Sequence, residues 1–119
     1  MDKQSLGQFG EEQAARYLRR RFYTILERNY RCRFGEIDLI ARRGRILAFV
    51  EVKLRRDDAH GEAREFVTGR KQQRILAAAE LWLSQHDTEL QPRFDVIEIY
   101  APAGADGPVQ INHIENAFM

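Results

Sequence analysis

Two alternating apolar runs, Glu36–Arg42 and Arg45–Leu54, meet at Arg42-Arg43-Gly44-Arg45, and that pattern admits little but a β-hairpin. Side chains alternate between the faces of a strand, so Glu51 and Lys53 share one. A two- or four-residue loop centred on the turn sets Glu36 opposite Glu51 and Asp38 opposite Phe49. Asp38 and Glu51 are then diagonal neighbours on one face, roughly 7–8 Å apart. Two carboxylates at that spacing can hold one divalent ion between them, with the Lys53 ammonium beside it. That is the skeleton expected of a metal-dependent nuclease site. A three-residue loop would turn Asp38 to the other face and dissolve the constellation.

The rival reading is a cross-strand charge ladder of Glu36, Asp38, Glu51 and Lys53 on a solvated sheet face. Two features count against it. Ile40, Leu47 and Phe49 share the charged face, so that face is not simply wet. Ile37, Leu39, Ala48, Val50 and Val52 form a wholly apolar opposite face that must be covered. A sheet covered on both sides, with charges clustered at one place, describes a cleft.

The chain has 119 residues, the size of one domain, and a hydrophobic content of 44% supports a packed core. No apolar run approaches the roughly 20 residues that span a bilayer. Met1-Asp2-Lys3-Gln4-Ser5 is polar and lacks the apolar region of a secretory signal. Cys32 is the single cysteine, which excludes an internal disulfide and a cysteine-based zinc cluster. The expected location is the cytoplasm.

A net charge of +1 conceals an asymmetry. Residues 16–74 hold 15 Arg and 2 Lys against 5 Glu and 3 Asp, whereas residues 75–119 hold one Arg against seven acids. A basic segment around paired carboxylates suits a polyanionic ligand. Arg42, Arg43, Arg45, Arg55, Arg56 and Lys71 are the candidate phosphate contacts, since guanidinium groups bind phosphate in bidentate fashion. GC-rich coding also favours arginine, so the asymmetry says more than the Arg bias.

Ser5 to Phe22 reads as a first helix capped by Ser5, with Leu6, Gly10, Ala14, Tyr17 and Leu18 inward. At ~100° per residue Glu11 falls about 20° from Leu18 and Phe22, at the edge of the buried face, while Glu12 points outward. An acid so placed often has a partner, here a metal or an arginine, although the helix dipole alone also favours it. Tyr23 to Arg33 reads as a strand. Arg55 to Glu65 reads as a polar loop beside the site, and its His60 is expected at the solvated surface. Thr68 caps a second helix to about Gln85, with Ile75, Leu76, Ala79, Trp82 and Leu83 buried. Gln72 shares that stripe and either faces the site or covers a polar edge. Arg70, Lys71 and Arg74 oppose the helix dipole, a placement more understandable if phosphates approach. Arg93–Tyr100 and Val109–Ile114 are further strands, and Asp95 is expected to be structural. The order α-β-β-β-α-β-β predicts a mixed β-sheet flanked by helices.

Five segments then carry a resemblance over nearly the whole chain: Gly7-x-x-Gly10-Glu11-x-x-Ala14, Gly35-Glu36-Ile37-Asp38-Leu39-Ile40, Phe49-Val50-Glu51-Val52-Lys53, Lys71-Gln72-x-Arg74-Ile75 and Arg93-Phe94-Asp95-Val96. The chain resembles the YraN-like proteins, an uncharacterised family assigned to the PD-(D/E)XK, restriction-endonuclease-like nuclease superfamily. The resemblance implies a restriction-endonuclease-like α/β domain over residues 1–119, with Asp38, Glu51 and Lys53 in the catalytic positions. It matches Glu11 to the first-helix acid of the Holliday-junction-resolvase-like branch, and Gln72 or Lys71 to supporting helix residues. Ile37 stands where the superfamily signature has proline.

The expected function is a Mg²⁺- or Mn²⁺-dependent endonuclease acting on DNA, including branched or recombining DNA. Asp38, Glu51 and the Val52 carbonyl would hold the metal, with Glu11 as a further ligand. Lys53 would orient water or stabilise phosphate charge. One site makes one cut, so cleaving two strands would call for a homodimer. The main alternative is a catalytically silent nucleic-acid-binding module with a nuclease-like fold. A third is a protein-interaction domain that works through the acidic residues 75–119.

Overall fold

The structure, a computed structural model, describes residues 3–55 and 67–118, with the backbone alone at positions 3 and 4. Arg56 and His60 lie outside the described residues. The elements are α1 (Lys3–Arg20), β1 (Thr24–Cys32), β2 (Gly35–Arg43), β3 (Ile46–Arg55), α2 (Gly69–Gln85), β4 (Gln91–Tyr100) and β5 (Gln110–Ile114). This is the α-β-β-β-α-β-β order expected from the sequence. The five strands lie side by side in chain order. All neighbours are antiparallel except β3 and β4, which are parallel and are joined by the connection that carries α2.

The two helices cover opposite faces of the sheet. Against α2 pack Ile40, Leu47, Phe49, Phe94 and Val96, with Ile75, Ala79 and Trp82 from the helix. Against α1 pack Leu39, Ala41, Ala48, Val50, Ile97 and Ile99, with Ala14, Ala15 and Leu18 from that helix. Gly10 lies where α1 meets β3, and a Cβ there would stand 3.4 Å from Leu54 Cβ, at ordinary contact distance. The middle strands are thus buried on both faces, as the apolar pattern required.

The hairpin has the expected parity and a shifted register. Arg43 pairs with Ile46, so the turn is Gly44-Arg45, and Ile40 faces Phe49. Gly44 takes φ 59° at the first turn position, the positive value that tight hairpin turns demand. Moving the turn by one residue changes every partner by two, so faces are kept. Asp38 and Glu51 become the positions directly beyond the last pair, Leu39↔Val50, and are no longer diagonal.

Three local expectations are corrected. Ile37 packs with Ile40 beneath α2, not with Leu39. Alternation slips between Ile37 and Leu39, where the β2–β3 ladder stops and Asn29 of β1 holds φ 54°. Ser5 lies inside α1 rather than capping it, because the helix already runs at Lys3. Phe22 lies beyond the end of α1 and is exposed. Thr68, by contrast, caps α2 as expected, its Oγ1 accepting from Lys71 N–H at 3.2 Å.

Asp95 is structural in its surroundings, being fully buried. Arg93 donates to both carboxylate oxygens, at 2.9 and 2.8 Å, and Asn116 N–H donates at 3.0 Å. His113 Nε2 lies 2.8 Å from Oδ2. This cluster fastens β5 and the segment after it to β4.

Candidate active site

The site forms where the β2–β3 ladder opens. With no β3 partner paired beyond Leu39, Asp38 turns its Oδ2 to accept the Val52 N–H at 2.8 Å. Glu51, on the adjacent position of β3, is 5% exposed. Lys53 stands two residues along the same strand, with Nζ 3.6 Å from Glu51 Oε1. The first turn of α2 brings Lys71 to the same oxygen as a second ion pair. Asp38, Glu51, Lys53 and Lys71, four of the residues singled out in the sequence, therefore converge.

A cleft of about 490 Å³ opens beside them, lined by Asp38 and Glu51 from the hairpin, by Thr68 at the cap of α2 and by Arg70, Lys71 and Arg74 from the helix. Gly35 forms part of its wall. A Cβ on Gly35 would meet Arg74 Cβ at 3.3 Å, and its φ of 149° also favours glycine. A second cleft, of about 320 Å³, lies on the α1 side and includes Glu11, Asn29, Arg31 and Leu54. Asp38 and Glu36 line both. Glu11 thus faces Asp38 from the second cleft rather than sharing the first with Glu51.

The electrostatics follow from crowding. Burial, then the Glu51 charge, push the Asp38 carboxyl up to about 8, against the opposing pull of the Val52 N–H; Glu11 and Glu36 add to the rise. Asp38 therefore holds its proton more tightly than an ordinary carboxyl. Burial first, and the neighbouring Lys71 charge second, lower the Lys53 ammonium, with Glu51 acting in the other direction. Burial pulls Lys71 down too, but its ion pair with Glu51 outweighs this and leaves it above the ordinary lysine value.

Two carboxylates beside the strand backbone are hard oxygen donors, the chemistry that suits Mg²⁺ or Mn²⁺ with water completing the shell. Among the described residues, no three His, Cys, Asp or Glu side chains come close enough to form a metal cage. The described residues bring two carboxylates together here, Asp38 and Glu51, a number small hard cations commonly accept.

Other candidates are placed elsewhere. Gln72 Nε2 donates to Val67 O at 2.9 Å, which fastens the entry to α2. Arg55 forms an ion pair with Glu98 of β4 and is 11% exposed. Arg42, Arg43 and Arg45 stand at the hairpin turn, about 17 Å along the strand from Glu51. Arg42 Nε donates to Gly44 O and Arg43 Nη1 to Arg21 O, both at 3.3 Å. The cations actually lining the cleft include Arg70 and Arg74, which the sequence marked with Lys71 as opposing the helix dipole in a way more understandable if phosphates approach, though not among the named phosphate contacts. Their spacing around Lys71, one turn apart on α2, was the available signal. Among the described residues no helix is long and apolar enough to cross a membrane.

The chain has close relatives of matching length. A UPF0102 protein of Nocardia farcinica is 49% identical over 118 residues, covering 98% of this chain and 91% of its own. One from Frankia casuarinae is 45% identical over 117 residues, covering 98% of each. One from Caldanaerobacter subterraneus subsp. tengcongensis is 42% identical over 119 residues, covering 99% and 98%. Residues 10–99, which carry most of α1, β1, the hairpin, α2 and most of β4, match the model of the uncharacterised protein family UPF0102, and the chain belongs to that family.

Proposed function

We propose that the protein is a metal-dependent endonuclease that hydrolyses phosphodiester bonds in DNA, branched or recombining DNA included, and that it belongs to the PD-(D/E)XK nuclease superfamily. The observation that carries this reading is the meeting of Asp38, Glu51 and Lys53 at the open end of the hairpin, beneath a cleft edged by Arg70, Lys71 and Arg74. Asp38 and Glu51, with the Val52 carbonyl, would hold Mg²⁺ or Mn²⁺. When bound, such an ion polarises a phosphate and lowers the pKa of water. Lys53, lowered by burial, would orient the attacking water or donate to the phosphate oxygen on which charge builds. Lys71 leaves Glu51 for the incoming phosphate, and Arg70 and Arg74 position the backbone without reading sequence. One site per chain makes one cut, so cutting both strands requires two copies.

A second reading has its own support. Lys53 and Lys71 both sit on Glu51 Oε1, and no third acid side chain joins the two carboxylates among the described residues. That arrangement also serves a nucleic-acid-binding module that does no chemistry. Cleavage of linear, single-stranded and branched DNAs with Mg²⁺ or Mn²⁺, against Glu51→Ala purified identically, separates the two. Metal-dependent cutting lost in the variant supports the nuclease. Salt-sensitive binding without cutting supports the module.

A further inference from the structure

The end of the molecule opposite the cleft carries a second cationic surface. There α1 stops in a Schellman turn, with Phe22 N–H donating to Arg19 O at 3.0 Å and Tyr23 N–H to Leu18 O at 2.9 Å. The motif requires left-handed backbone at the position of Phe22, which glycine adopts freely and larger residues resist. Phe22 holds φ 71° there. Tyr23 tucks into the core beside Leu18, the contact the motif favours, while Phe22 projects with 86% of its surface exposed. Backbone strain and an exposed ring work against stability at the same residue. Glycine would relieve both, and strain of this kind gathers where a side chain has a task beyond folding.

Its surroundings indicate the task. Arg19, Arg20 and Arg21 lead into Phe22, and the β1–β2 pairing sets Thr24 opposite Arg42. Arg43 reaches the Arg21 carbonyl and lies 4.6 Å over the Tyr23 ring. With Arg45 of the turn these are six exposed arginines around one exposed aromatic. Asp87 and Glu89 share a shallow cavity with Arg42 and Arg45 and bound the surface on that side.

We propose that this end is a second nucleic-acid contact, in which Phe22 stacks on an unpaired base and the arginines take the neighbouring phosphates. The proposal rests on the reading that the protein acts on nucleic acid. A lone ring fringed by guanidinium groups matches one base plus its phosphates. A membrane-lying element needs an extended apolar face, which one ring does not supply. The distance of about 17 Å from the turn to Glu51 equals about five base steps of duplex. A nucleic acid longer than about five base steps is thus long enough to reach both ends of the hairpin.

The test is fluorescence polarisation with a labelled single-stranded oligonucleotide and a labelled blunt duplex, using wild type, Phe22→Gly, Phe22→Trp and Lys71→Ala/Arg74→Ala. Phe22→Gly should melt no lower than wild type yet bind the single strand roughly 5- to 100-fold more weakly, with Phe22→Trp restoring affinity. Unchanged single-strand affinity in Phe22→Gly, while Lys71→Ala/Arg74→Ala weakens duplex binding, overturns this proposal alone. Wild type that binds neither oligonucleotide overturns it together with the nuclease reading. Loss of binding to anionic lipid vesicles in Phe22→Gly, with oligonucleotide binding intact, assigns the surface to membranes and also overturns it.

Discussion

Asp38 accepts the backbone N–H of Val52 at 2.8 Å, so a side chain takes over where the backbone ladder of the hairpin ends. The bond does two things. It satisfies a donor the opened strands would otherwise leave bare, and it fixes one carboxylate beside a second that is nearly buried. The native state relieves this crowding by holding a proton on Asp38 more tightly than the unfolded chain does, which makes it visible in the pH dependence of stability.

Stability in the presence of a chelator should fall as pH rises from about 4 to about 8. The folded Asp38 carboxyl is raised to about 8 from its ordinary value, so the native state binds the proton more tightly than the unfolded chain. Its contribution is complete below the unfolded pKa and is lost as pH passes the folded one. Thermal melts across that range should show the decline in wild type and a flatter profile in Asp38→Asn. An unchanged slope in the variant would place the linkage elsewhere.

Glu51→Gln should push the Lys53 ammonium further below the ordinary lysine value. Burial and Lys71 already lower it, and the Glu51 charge is what opposes them. Nitrogen-detected NMR titration of the lysine side chains reads this directly. A rise of the Lys53 pKa in Glu51→Gln would contradict the electrostatic account of the site.

Asp95→Ala should cost about 3–5 kcal/mol in urea unfolding, since it leaves Arg93 and the Asn116 N–H without their buried partner. Burial works to raise the Asp95 carboxyl, but His113, Arg93 and the Asn116 N–H outweigh it and hold it below the ordinary range. Its contribution is therefore present above the unfolded carboxylate pKa and lost as pH falls through the folded one. Asp95→Asn should be less sensitive to acid than wild type, even though it is less stable near neutrality.

Much of this was legible in the sequence because it depends on periodicity. The two apolar faces of Ile46–Arg55 required cover on both sides, and α1 and α2 supply it. Parity put Asp38 and Glu51 on one side, and it survived a misplaced turn because partners move in steps of two. Position along the hairpin was less legible. Arginines at 42, 43 and 45 are near Glu51 in the chain but a hairpin's length away in space, whereas Arg70 and Arg74 arrive through α2. The slip at Ile37 was hidden too, because it follows from strand opening and from Asn29 on a neighbouring strand.

Calorimetric titration of Mn²⁺ into the protein near pH 7, repeated in buffers of different ionisation enthalpy, tests the central claim most directly. Because Asp38 holds its proton up to about 8, metal bound between Asp38 and Glu51 must displace it. The account predicts a single site that releases close to one proton, with binding abolished in both Asp38→Asn and Glu51→Gln. Absence of Mn²⁺ binding, or binding indifferent to either substitution, would contradict it.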